Sequence, residues 1–191
     1  VYKRQGTVYA KLGNLKKAEI SFRKAIKLKP DAPEGHYNLG RLCEEVGLLD
    51  DAIAAYQQAL QIDPAFNPAQ INLGAIFLSR GEENSAVKTF QKALSHDPEK
   101  RALYLSLGNA YLKKAAFDQA AIAYQIVKDQ KPQSQAAEIG LGNAAFEKGD
   151  TIRAISHFKK AISLNPENPV SYINLGTAYA AQGILEAAIV E

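Results

Sequence analysis

Tyr104-Leu105-Ser106-Leu107-Gly108-Asn109-Ala110-Tyr111 is the stretch whose reading decides the fold of this chain. Its skeleton is an aromatic, two residues, Leu-Gly, two residues, an aromatic. The Leu-Gly pair returns at Leu39-Gly40, Leu73-Gly74, Leu141-Gly142 and Leu175-Gly176, each 34 residues from the last, with Gln5-Gly6 where a first copy falls. A fixed period of this size marks an array of small supersecondary units, and it replaces any estimate of domain number from the length of 191 residues.

Two further registers share the period. Pro30, Pro64, Pro98, Pro132 and Pro166 each follow a segment of helical periodicity, as proline does where a helix stops and a turn begins. Gly13, Gly47, Gly81, Gly149 and Gly183, with Ala115 as the exception, mark a second turn inside every unit. Each unit therefore reads as helix, short turn, helix, for example 34–46 and 50–62. The expected fold class is all-α, and the chain is one array over 1–191. Its whole repeats are 33–66, 67–100, 101–134 and 135–168, with partial repeats at 1–32 and 169–191.

A glycine in mid-helix costs about 1 kcal/mol relative to alanine, so a whole register of them requires a repeated compensating contact. Ala18, Ala52, Ala86, Ala120, Ala154 and Ala188 form a register in the second helix, and Ala25, Ala59, Ala93 and Ala161 follow seven residues on. The expectation is that small residues face small residues where the two helices approach. Phe22, Tyr56, Phe90, Tyr124 and Phe158, lying between them, are expected to bridge to the next unit as core.

Glycine at position 8, alanine at 20, an aromatic at 24, alanine at 27 and proline at 32 of a 34-residue unit resemble the tetratricopeptide repeat family over the entire chain. The resemblance implies a right-handed α-solenoid of stacked antiparallel helix pairs, with a concave groove lined by the first helices. It also implies a scaffold that binds proteins rather than an enzyme.

The fit is uneven in one place. Repeat 101–134 has Ala115 for the turn glycine, Val127 for the small alanine, and Lys128 where others carry Ile26, Leu60, Leu94 and Ile162. The next repeat has Glu138 and Ala145 in place of Tyr104 and Tyr111. These departures predict a less regular second helix and a softer or kinked junction near 127–145.

Composition narrows the function classes. The apolar share is 47%, and no apolar run approaches the roughly 18 residues that span a bilayer, so no membrane insertion is expected. There is no methionine, from which the natural start is expected upstream, and the lone Cys43 cannot form an internal disulfide. Residues 1–30 carry nine basic residues against Glu19 alone, so the net charge of +3 hides a basic beginning. His36, His96 and His157 fall at three different repeat positions without metal-ligand neighbours, and read as packing or surface residues. Cys43 replaces the second aromatic and reads as a small hydrophobe. Gly140-Leu141-Gly142 lies within a helix pattern and is no phosphate loop. Carboxylates at Asp50-Asp51 and Glu82-Glu83 suit the starts of second helices. No catalytic site, metal site or cofactor is expected. A largely neutral first-helix face argues against nucleic acid as a partner.

The resemblance assigns the groove to positions 2, 5, 6, 9, 12 and 13 of each repeat. The residues it selects here are Tyr37, Asn38, Arg41, Ile71, Asn72, Leu78, Leu105, Ser106, Asn109, Leu112, Ile139, Asn143, Phe146, Ile173 and Asn174. Asparagine both donates and accepts, and Asn38, Asn72 and Asn174 resemble the asparagine ladder of the O-linked N-acetylglucosamine transferase superhelix, which would hold a peptide main chain. The ladder breaks at Ser106 and Gly140, where Asn109 and Asn143 stand one turn on. The apolar middle suits an extended or helical, partly apolar protein segment, with Gly140 leaving a pocket beside Phe146. The carboxylate clamp that holds chaperone C-terminal tails is excluded, because only Lys3 and Asn38 match and its closing cations are missing. The main expectation is therefore a non-catalytic protein–protein interaction scaffold. Its alternatives are the substrate-recruiting arm of a larger glycosyltransferase-like enzyme, or a bacterial envelope or pilus assembly factor. Open solenoid ends also allow self-association.

Overall fold

The computed structural model describes residues 1–183, all of whose regular elements are helical. The chain divides into two compact units. The first, Val1–Pro98, contains α1 (Tyr2–Lys11), α2 (Leu15–Leu28), α3 (Pro33–Glu45), α4 (Leu49–Ile62), α5 (Asn67–Ser79) and α6 (Glu83–His96). The second begins at Glu99 and contains α7 (Arg101–Lys113), α8 (Phe117–Gln130), α9 (Gln135–Glu147), α10 (Thr151–Leu164) and α11 (Pro169–Ala181). Within each unit every helix packs on its successor, and α1 meets α3, α7 meets α9 and α9 meets α11. Each unit is thus a stack of antiparallel helix pairs, and the repeat boundaries read from the prolines separate those pairs. Ala188 lies outside the described residues, as does the second helix expected for repeat 169–191.

The turn inside each pair is fixed by one left-handed residue. Gly47 has φ +81°, its amide reaches Glu44 O, and the Leu48 amide reaches Cys43 O at 2.8 Å. This pattern caps the orphan carbonyls of α3. At the exceptional position Ala115 takes φ +57° and keeps the same two bonds, Ala115 N to Leu112 O and Ala116 N to Tyr111 O. The turn is preserved in an alanine, at the cost of a strained backbone.

The mid-helix glycines make a different contact from the expected one. A Cβ on Gly40 would lie 2.7 Å from the Tyr56 ring, one on Gly74 2.4 Å from Phe90, one on Gly108 2.6 Å from Tyr124 and one on Gly142 2.4 Å from Phe158. The glycine therefore faces the ring at position 24, while the alanines at position 20 are separately buried. Seating a whole ring against bare helix backbone buries more apolar area than a small-on-small contact, which offsets the helix propensity lost. Gly140 belongs to the same logic, since its Cβ would meet the Tyr124 ring of the preceding repeat at 2.5 Å. That ring, rather than a pocket, occupies the space that Gly140 leaves.

The irregular stretch near 127–145 is well packed. α8 has the 14 residues of the other second helices, and Val127 is 1% exposed in place of the alanine. Lys128 and Glu138, two departures on successive repeats, meet. Lys128 Nζ lies 2.9 Å from Glu138 Oε1, and His157 Nδ1 lies 2.7 Å from Glu138 Oε2. The Glu138 carboxylate is 1% exposed. Burial alone would raise its pKa, but the hydrogen bonds and charges of Lys128 and His157 outweigh it and hold the carboxyl below its ordinary value. The less regular helix is not found, and the compact units divide at Pro98 rather than within 127–145. His157 is accordingly a partner of a buried carboxylate rather than an ordinary packing residue.

Candidate functional site: two first-helix clefts

In the first unit the faces of α1, α3 and α5 enclose two adjoining clefts. One, of about 570 Å³, is lined by Thr7, Lys11, Asn38, Arg41, Glu44, Glu45 and Asn72 among others. The other, of about 520 Å³, takes in Lys3, Arg4, Glu34, Tyr37, Asn38 and Phe66. Tyr37 is held between Tyr56, 5.8 Å away between ring centres, and Phe66, edge-on at 5.4 Å. Tyr56 donates to Glu44 Oε2 at 2.6 Å and accepts from Asn72 Nδ2 at 3.0 Å. Burial, then the Glu44 carboxylate, pushes the Tyr56 phenol far above its ordinary range, so it remains a donor. Asn72 is therefore partly spent on the protein itself. Asn38 has no side-chain hydrogen bond among the described residues and stands at the meeting of the two clefts. Lys3 lies 3.5 Å from Glu34, which neutralises the cation that a carboxylate clamp would need.

In the second unit α7, α9 and α11 form a cleft of about 540 Å³ lined by Leu112, Lys113, Phe117, Asn143, Phe146, Glu147, Asn174 and Thr177 among others. Asn174 Nδ2 donates to Asn143 Oδ1 at 3.1 Å. Each amide has two donors and an acceptor. Their mutual bond leaves Asn143 Nδ2 as a donor and Asn174 Oδ1 as an acceptor, in the cleft that Leu112 and Phe146 also line. Asn109 is exposed, accepts from the Tyr124 hydroxyl at 2.6 Å, and is not among the residues that line this cleft.

Of the residues selected by position, Tyr37, Asn38, Arg41 and Asn72 come together in the first unit, and Leu112, Asn143, Phe146 and Asn174 in the second. Leu105 lines another cleft, with Val127 and Gln135. Ile71, Leu78, Ser106 and Ile139 are half-buried and line none of these clefts, while Ile173 is 65% exposed. The selection omitted Lys11 and Glu45 in the first unit and Lys113 and Glu147 in the second, although each occupies position 13. Extending the 34-residue register by one column finds all four, and gives each cleft a lysine in one repeat and a glutamate in the next. Among the described residues no group of three His, Cys, Asp or Glu is placed to hold a metal ion, and no helix is long and apolar enough to cross a membrane.

Models described as tetratricopeptide repeat match residues 3–65 and 77–141, and a model described as TPR repeat matches 142–183. No curated protein matches the chain. Among solved structures, a tetratricopeptide repeat protein from Parabacteroides merdae superposes with a TM-score of 0.88 at 20% identity, over 99% of this chain and 75% of that one. MamA superposes at 0.75 with 26% identity, over 87% and 91% of the two chains. YrrB, described as a TPR protein with an unusual peptide-binding site, superposes at 0.69 with 24% identity, over 88% and 87%.

Proposed function

This chain belongs to the tetratricopeptide repeat family, and we propose that it is a non-catalytic scaffold whose first-helix clefts bind a segment of another protein. The observation that carries this reading is the Asn143–Asn174 pair. The amide donor left on Asn143 and the carbonyl acceptor left on Asn174, in one cleft with Leu112 and Phe146, suit the C=O and N–H of an extended peptide that carries an apolar side chain. The first-unit cleft is more polar, with Asn38, Arg41 and Glu44 over Tyr37, and suits a polar stretch of the same ligand class. The peptide-binding site in the description of YrrB supports the reading by likeness of fold.

Selection of a displayed peptide library against the intact chain tests it. Enriched peptides are expected to carry an apolar anchor. Their affinity should fall about tenfold or more in Asn143→Ala and in Leu112→Asp, consistent with the loss of one buried hydrogen bond or of the apolar lining. The helical circular dichroism of both variants should match the parent. Peptides that bind both variants as well as the parent would remove the cleft from the mechanism.

A further inference from the structure

The first unit carries a further opening. A trough of about 680 Å³ runs along α3, with α2 and α4 as its walls. Its floor is apolar, made by Leu39, Leu42, Cys43 and Val46 with Ile26 from α2, and residues from His36 to Val46 give it a length of about 15 Å. Comparison by register with one other junction in each unit shows what differs here. Moving 102 residues along converts Ile26, His36 and Ala55 into Lys128, Glu138 and His157, whose ionic cluster occupies that junction. Moving 34 residues converts them into Leu60, Gln70 and Thr89, where Gln70 is 1% exposed and donates to Pro64 O. The first junction has Ile26, His36 and Ala55 at these positions, with no ion pair or side-chain hydrogen bond among them, and it stays open.

Its walls differ in character. On α4 the lining residues Ala54 and Ala55 are small enough to let another helix axis come within the usual packing distance. On α2 the lining includes Lys16, Arg23 and Lys27. Arg23 is engaged by Glu19 at 2.8 Å, but Lys16 and Lys27 have no acidic partner among the described residues. Leu48, 54% exposed, closes one end of the trough. The cleft therefore offers an apolar floor, a small-residue wall and a cationic wall, all along helical elements.

We propose that this trough docks an amphipathic helix of a partner protein, its apolar face on Leu39, Leu42 and Val46 and its acidic flank along Lys16 and Lys27. Asp51 on the α4 side orients the helix, because an acidic residue there is repelled. The trough shares only Leu42 with the first-unit cleft, and its charged and small-residue walls are its own.

Two stapled 14-residue helical peptides, the length of α2 and α4, test this. They share leucines at helical spacing and carry either glutamates or lysines on one flank. The acidic peptide is expected to bind at least about tenfold tighter than the basic one, and to slow the reaction of Cys43 with a chromogenic disulfide reagent. Ala54→Arg, at an exposed position, should block the trough and cost about tenfold despite its favourable charge. Lys16→Glu with Lys27→Glu should reverse the preference between the peptides, while Leu112→Asp in the second-unit cleft should change nothing. The proposal is overturned by equal binding of the two peptides, by binding that survives Ala54→Arg, or by no binding of the acidic peptide at millimolar concentration. It is also overturned if the chain dimerises through the trough, seen as a concentration-dependent dimer that Ala54→Arg abolishes.

Discussion

At the scale of the residue, this protein depends on a few positions where a single carbon decides the energy. Ala115 holds a left-handed backbone that costs a non-glycine residue about 1–2 kcal/mol, part of which glycine gives back through its freer unfolded chain. Ala115→Gly is therefore expected to stabilise by about 0.5–1 kcal/mol, raising the thermal midpoint by a few degrees in calorimetry. Gly142 is the reverse case. Alanine favours a helix interior, yet its Cβ would sit 2.4 Å from the Phe158 ring. Gly142→Ala should destabilise by about 1–3 kcal/mol in denaturant unfolding, because the ring must move within a core that lacks room for it. A stabilised variant would show that the ring shifts without loss.

At the scale of the element, the junction of α8, α9 and α10 is tied by Glu138, Lys128 and His157. Removing one side of a buried pair is expensive, and Lys128 is about a third exposed, so the penalty is smaller than for a fully buried cation. Lys128→Ile, the residue found at Ile26 and Ile162, should destabilise by about 2–4 kcal/mol. Adding Glu138→Tyr, after Tyr104 and Tyr172, should recover more than half of that loss by rebuilding the apolar junction. A double variant no more stable than the single one would count against the pairing. The acid dependence has a definite sign. Because the folded Glu138 pKa lies below its ordinary 4.5, the stabilisation it gives is present above that value and disappears as pH falls through the folded pKa. Glu138→Gln should flatten the part of the stability curve that falls as pH drops below about 4.5. The same packing predicts that amides over 127–145 exchange with solvent as slowly as those over 70–95.

At the scale of the whole molecule, repeat arrays are stabilised by each unit and its nearest neighbours, and the chain divides into two such stacks at Pro98. Residues 1–98 expressed alone should keep the helical signal per residue of the intact chain and unfold cooperatively, since that segment carries its own cores around Phe22 and Tyr56. A non-cooperative melt would show that it needs the remainder. The sequence by itself determined the all-α class, the helix limits to within about a residue, the glycine turns and which faces are core. Those follow from local rules of propensity, capping and period, repeated until each copy confirms the next. It also marked first-helix residues that line the clefts, such as Asn38, Asn143 and Leu112. Only the tertiary structure decided that glycine meets a ring rather than an alanine, that Tyr124 fills the space at Gly140, and that Asn72 and Asn109 are engaged within the protein. It alone turned Lys128 and Glu138 from two flaws into one contact, and left the matching place open at Ile26, His36 and Ala55. Such partnerships join side chains from neighbouring repeats, and they depend on helix spacing and rotamers that no pattern within a single repeat specifies.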